Sequence, residues 1–300
     1  MNKIKLIMDT DIGSDIDDAL CLAYVLRQPA CELLGITTCS SEPAKRAEIA
    51  DSICRYMGKD IPIYPGRDTP LIGQQLQVAV HQYDVTKQLP HRSEFPENNA
   101  IDFMREMIEK YPHQITLLAV GPLTNIGALL AAYPHLVPLI KEISVMGGSY
   151  FEEAIVFIPA EWNIRNDPLA AKIVFDSGIP VRVVGLDVTL KLKIKCTDFI
   201  IAPHPDILKP VVMNAEKFLE RTNDMYFHDP LAAVCLFDET VCAFRRGTVS
   251  VGIDSESWGR TCFSEDSGGM VLVAENVCAV KFYKLYCNIV NAPDNEIMDW

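Results

Sequence analysis

Short apolar runs alternate with amphipathic helical stretches along most of this chain, and that alternation limits the possible folds more than any other feature. Ile4 to Met8, Leu33 to Thr37, Ile61 to Tyr64, Ile115 to Val120, Ile143 to Met146 and Val181 to Leu186 read as short buried strands. Between them, Asp17 to Arg27, Ala44 to Met57, Asn99 to Tyr111, Leu123 to Tyr133 and Asp167 to Asp176 read as helices. In the second of these, Ala47, Ala50, Ile53, Cys54 and Met57 share one face, and Gly58 ends it. Pro168 suits a first helical turn, where its missing N–H costs nothing. Strands that are apolar throughout must be covered on both faces, so the β-α order predicts an α/β fold with a mostly parallel central sheet. The pattern weakens between Lys191 and Asn223, where helices are expected outside the sheet. Thr248 to Ile253, Met270 to Ala274 and Val277 to Phe282 read as extra C-terminal strands. Neither a linker nor an internal repeat interrupts the chain, which reads as a single domain over 1–300. Gly66 to Pro96 is rich in Gln, His and Pro and poorly periodic; a connection that long reads as a functional loop or flap.

Composition narrows the function classes. Lys and Arg number 27 against 40 Asp and Glu, a net charge of -13, which repels phosphate backbones and argues against nucleic-acid binding. No apolar stretch approaches membrane-spanning length. Asp9 cuts the N-terminal apolar patch short of a secretory signal, so a cytoplasmic location is expected. The 10 cysteines form no Cys-x-x-Cys pair, which argues against a zinc site; Cys21, Cys54, Cys235 and Cys278 lie in apolar runs and read as small buried hydrophobes.

The chemistry concentrates where the first strand ends. Asp9, Asp11, Asp15, Asp17 and Asp18 crowd a ten-residue run that follows a strand and opens a helix. One carboxylate there can cap the helix, and Asp15 fits that role. Five are too many for capping, and crowded carboxylates repel unless a cation or shared protons neutralise them. A hard divalent cation with oxygen ligands, calcium or magnesium, is the natural remedy. Ligands of open parallel sheets bind at the carboxyl ends of strands, where this run lies.

The run also resembles the N-terminal signature Asp-x-Asp-x-x-x-Asp-Asp of the inosine-uridine-type nucleoside hydrolases. Asp9 and Asp11 match its first two positions, and Asp17 and Asp18 match its adjacent pair after a two-residue insertion. Without the insertion, Ile16 would fall on a ligand position it cannot fill. Val120 to Ile126, Ile143 to Ser149, Ala160 to Ile164 with Asp167-Pro168, His228-Asp229-Pro230 and Gly259-Arg260-Thr261 resemble later segments of that family. Taken singly, Asp-Pro pairs are ordinary helix starts and a lone histidine is most often structural; the segments gain weight together and in order.

The resemblance implies a Rossmann-like nucleoside hydrolase fold, a small-molecule riboside substrate, cleavage of its N-ribosidic bond, and assembly as a homodimer or homotetramer. It implies a Ca2+ ion held by Asp11, Asp18, Asp229 and the carbonyl of Val120, with Asp11 also the general base. Asp17 would hold the 2′-hydroxyl, Glu161 and Asn163 the 5′-hydroxyl, and Met146 and Glu42 would complete the substrate site. His228 would give a proton or hydrogen bond to the leaving base, a task the ordinary imidazole pKa suits. Glu42 and Ile155 stand where many members carry Asn. An apolar Ile155 cannot bond a 5′-hydroxyl, which points to a riboside substituted at that position. His81 and His91 are both candidates for the family histidine after the third strand.

Two other readings compete. One is a protein of the same fold that binds cation and ligand without turnover. The other is a haloacid-dehalogenase-type phosphatase with Asp9 as nucleophile, although that family expects Thr or Val at Gly13 and lacks the Val120 and His228 segments. A purely structural or interaction protein has no need of the carboxylate cluster.

Overall fold

The computed structural model describes residues 3–77, 79–96, 100–151 and 160–293. Its strands are β1 (Ile4–Thr10), β2 (Cys31–Thr38), β3 (Ile63–Pro65), β4 (Ile115–Ala119), β5 (Glu142–Met146), β6 (Val181–Val184), β7 (Lys193–Lys195), β8 (Asp224–Tyr226), β9 (Cys242–Val251), β10 (Thr261–Glu265) and β11 (Val271–Val277). Among the described residues, nine of them form one sheet in the order β10-β9-β11-β6-β5-β4-β1-β2-β3. The span from β3 to β11 is parallel throughout, and β9 pairs antiparallel with both β11 and β10. This is the expected α/β architecture, extended by C-terminal strands.

Side chains alternate across β1 and divide the core in two. Leu6 and Met8 join a cluster with the helices Asp17–Arg27, Pro43–Tyr56, His228–Phe237 and Ala279–Val290. Ile7 joins the opposite cluster with Ala100–Lys110, Thr124–Ala132 and Pro168–Asp176. Every residue of Asp17–Arg27 is buried. An aromatic knot then ties that helix to the one that begins at His228. Tyr24 stacks on Tyr286 at 5.8 Å, and Phe227 meets Tyr286 edge-on at 5.1 Å. Contacts of this kind contribute about 0.5–1.5 kcal/mol each beyond their buried area.

The chain runs β1 to β2 to β3 toward one edge, then returns to place β4, β5 and β6 on the other side of β1. The reversal opens a crevice at the carboxyl ends of β1 and β4, the topological position at which such sheets bind ligands. Asp9 pairs with Ala119 across it.

Three expectations need correction. Val277 to Phe282 is not a strand: β11 stops at Val277, and Phe282, Tyr286 and Val290 lie four apart on the buried face of the helix Ala279–Val290. Cys278 is exposed at the start of that helix, whereas Cys21, Cys54 and Cys235 are buried as expected. Asp15 is not the cap of the first helix; its Oδ1 accepts from the adjacent Ile16 N–H at 2.6 Å, and the helix begins at Asp17. Between 191 and 223 the helices Cys196–Ile201 and Lys209–Leu219 are joined by one strand of a small antiparallel ribbon, β7 with β8.

Candidate active site

Strand β1 carries Thr10 and Asp11 to the sheet edge, and the chain then turns sharply. Gly13 takes φ 110°, and a Cβ there would meet Ile49 Cδ1 and Val80 Cγ1 at 2.5 Å, so glycine is required. The turn delivers Asp17 and Asp18 to the first turn of a helix, whose dipole favours carboxylates. Asp229 arrives on the first turn of His228–Phe237. One oxygen each of Asp17, Asp18 and Asp229 lies within 4.8 Å of the others. All three carboxylates are buried, as is Asp11. Burial, and then repulsion by neighbouring aspartates, pushes Asp17, Asp18 and Asp229 well above the carboxylate range.

The buried cation beside them is Arg46. Its Nη1 donates to the carbonyls of Asp11 and Ile12 and to Ser14 Oγ, and its Nε donates to Ser41 O at 2.7 Å. Arg46 therefore holds the loop backbone and offsets part of its charge, lowering Asp11 against the upward pull of burial. One guanidinium cannot balance four buried carboxylates. Their grouping fits a further cation of oxygen-liking type, as the chemistry of the donor set requires.

Gln82, from the long connection after β3, is bonded to the loop backbone. Gln82 N–H donates to Gly13 O at 3.0 Å, and Gln82 Nε2 to Asp15 O at 2.9 Å. Asp9, by contrast, is not among the residues that line the cavity beside the carboxylates. Its Oδ1 accepts from Thr37 Oγ1 at 2.5 Å and Asn125 Nδ2 at 2.8 Å, which disposes of it as a phosphatase-type nucleophile.

Beside the carboxylates lies a cavity of about 440 Å³. It is lined by Asp11, Asp17, Asp18, Val120, Met146, Glu161, Asn163, His228 and Asp229, together with Ser14, Asp15, Gln77, Trp162, Arg165 and Arg221. Gly121 brings β4 close: a Cβ there would stand 2.8 Å from Asp11 N and 2.9 Å from Asp11 Oδ1. Asn163 Nδ2 donates to Val120 O at 3.0 Å and Met146 O at 3.1 Å, which leaves its Oδ1 to accept. Glu161 caps a short helix: Oε1 accepts from Asn163 N–H, and Oε2 from Ile164 N–H and Gly148 N–H. Burial outweighs those bonds and pushes its carboxyl up to about 7. His228 Nδ1 lies 2.7 Å from Thr189 Oγ1, and its ring stacks on Tyr226. Enclosure pushes the imidazole down to about 4, so the ring is neutral near pH 7.

Other candidates lie elsewhere. Glu42 is outside the cavity lining; it has left-handed backbone (φ 57°) and its carboxylate pairs with Lys45. Neither His81 nor His91 lines the cavity, and His91 sits against Glu48 at 3.4 Å. Ile155 lies outside the described residues. Arg46, Gln77, Arg165 and Arg221 carried no sequence signal, since an arginine or glutamine in a polar stretch looks solvated.

A parallel sheet whose strand ends bring buried carboxylates and a polar cavity together defines an α/β enzyme built to act on a small molecule beside a metal ion. The sequence profile of the "inosine-uridine preferring nucleoside hydrolase" family matches residues 6–284, and the chain belongs to that family. Uridine nucleosidase 1 of Arabidopsis thaliana is 31% identical over 280 residues, 87% of this chain and 82% of that protein. A pyrimidine-specific ribonucleoside hydrolase of Escherichia coli is 34% identical over 212 residues, 67% of this chain and 65% of that protein. A solved plant nucleoside hydrolase superposes with a TM-score of 0.83 at 26% identity, covering 96% of this chain and 99% of its own.

Proposed function

We propose that this enzyme binds a ribonucleoside in the cavity and, with Ca2+ among its carboxylates, hydrolyses the N-ribosidic bond to ribose and free base. Hydrolysis of ribonucleosides is the activity of its family. The observation that carries the reading is the grouping of Asp17, Asp18 and Asp229 within 4.8 Å at the cavity wall. Asp11, Asp18, Asp229 and the Val120 carbonyl would hold the ion, and Asp17 would reach the 2′-hydroxyl. Calcium suits this set better than magnesium because it accepts six to eight ligands in loose geometry, whereas Mg2+ demands a near-ideal octahedron. When bound, the ion supplies an anchor that orients the attacking water and the ribose hydroxyls.

The chain's own groups do the rest. Asp11 takes the proton of the water as it attacks the anomeric carbon. The carboxylates place negative charge beside a sugar that becomes cation-like as the bond breaks. Asn163 Oδ1 and the Glu161 carboxylate accept from the far end of the ribose. His228, in the cavity lining, would serve as a hydrogen-bond donor to the base: with Nδ1 accepting from Thr189 Oγ1, Nε2 would carry the proton. One sheet joining strands from both ends of the chain supports a single domain. Free cysteines at all ten positions support a reducing, cytoplasmic compartment, and a symmetric homodimer or homotetramer completes the reading.

The test is release of free ribose from a panel of ordinary and 5′-substituted ribosides. Turnover is expected to stop in chelator, return with Ca2+, and fall about 100- to 10,000-fold in Asp11→Asn. Binding of ribosides with no ribose released by the Ca2+-loaded wild type would overturn the reading in favour of a binding protein.

A further inference from the structure

We infer that Arg221 receives the departing base, holding the carbonyl oxygen at the ring position where cytosine and adenine carry an amino group, as the ribosidic bond breaks. The inference rests on the ribonucleoside reading above and deepens it. Beyond His228 a second hollow of about 540 Å³ adjoins the cavity and shares with it Asp15, Arg221 and His228. The hollow is mostly polar, lined also by Thr222, Asp224, Phe218 and Tyr226, and the Tyr226 ring is already stacked on His228, so Arg221 is the group there suited to binding a polar edge of a heterocycle. Arg221 is the arginine common to both spaces, and the other one in the cavity lining, Arg165, follows Glu161 and Trp162 at the ribose end. The guanidinium is exposed but tethered, with Nη1 donating to Ser14 O at 2.9 Å. A guanidinium has five N–H donors, so the tether fixes its place and leaves donors for a ligand.

The chemistry needs such a group. When the C1′–N bond breaks, its electron pair passes to the base nitrogen and spreads onto the ring carbonyl oxygen. The water oxygen bonds to C1′, its proton goes to Asp11, and the base later takes up a proton. An imidazole offers at most one N–H to that growing charge, whereas Arg221 offers a permanent cation and a planar fork of donors. A carbonyl oxygen accepts from the fork. An exocyclic amino group at the same ring position presents donors to donors and is rejected.

The test compares wild type, Arg221→Gln and Arg221→Lys, all loaded with Ca2+, on uridine, inosine, cytidine, adenosine and nitrophenyl riboside. Nitrophenolate leaves unaided, so it reports on everything except support of the leaving group. For Arg221→Gln, kcat/KM on uridine and inosine is expected to fall about 100-fold. Cytidine and adenosine should change by less than about threefold and nitrophenyl riboside should not change, with Arg221→Lys intermediate. An equal fall on all five substrates would assign Arg221 to holding the Ser14 loop and overturn the inference, as would an unchanged rate on uridine and inosine. Wild type inactive on every riboside would instead bring down the ribonucleoside reading itself.

Discussion

Replacing Asp18 by Asn should stabilise the metal-free protein while weakening its response to calcium. Oxygens of Asp17, Asp18 and Asp229 lie within 4.8 Å of one another. At an effective dielectric constant of about 20, two unit charges at that spacing repel by about 3.5 kcal/mol. Asp18 faces both partners, so the neutral isostere removes two such repulsions and the cost of burying one charge. Protons already relieve part of this strain, because burial and repulsion have raised all three groups. A net gain of about 2 kcal/mol is expected, which for a chain of this size raises the midpoint of thermal unfolding by about 3 °C. Calcium reverses the order. A ligand at 100 times its Kd stabilises by about 2.7 kcal/mol, and the wild type collects that while a variant short of one carboxylate collects less. Thermal melts in chelator and in millimolar Ca2+ read both arms. A variant that melts below wild type in chelator, or gains as much from Ca2+, would refute the electrostatic account.

Arg46→Met should destabilise the fold by about 3–5 kcal/mol in denaturant titrations, since it strips a buried cation from the carbonyls of Asp11, Ile12 and Ser41; a change below about 1 kcal/mol would show the loop holds itself. The Glu161 carboxyl, pushed up to about 7 by burial, is ionised above that pH and neutral below it. As pH falls through about 7 it loses acceptor capacity, so KM for ribosides should rise on the acid side. In Glu161→Gln, KM should be high and flat across the same range, and a pH profile identical to wild type would remove Glu161 from substrate binding.

Much of this arrangement could be read from the residues. The β1 run and the helix after it were legible because Leu6 and Met8 face one side and Ile7 the other. The aspartate run was legible because its charge density has no structural use. The helix Ala279–Val290 was not, since a short apolar run such as Val277 to Phe282 fits either period and only Tyr286 and Val290 beyond it decide. Arg46 was invisible because its burial depends on backbone carbonyls from a loop 35 residues away. Glu42 was singled out by its place in the family pattern, and its left-handed backbone and pairing with Lys45, outside the cavity lining, are not encoded in that pattern. The neutral state of His228 is a property of its enclosure near Thr189 and Tyr226, which no local pattern encodes.

Asp229 reaches the carboxylate group from the last third of the chain, on a helix fastened to the first one by Tyr24, Phe227 and Tyr286. A polypeptide still on the ribosome can lay down β1 and its acidic turn early, yet it lacks the third arm of the grip until translation is nearly done. A chain cut short before Asp229 therefore keeps Asp17 and Asp18 but lacks the third carboxylate of the group.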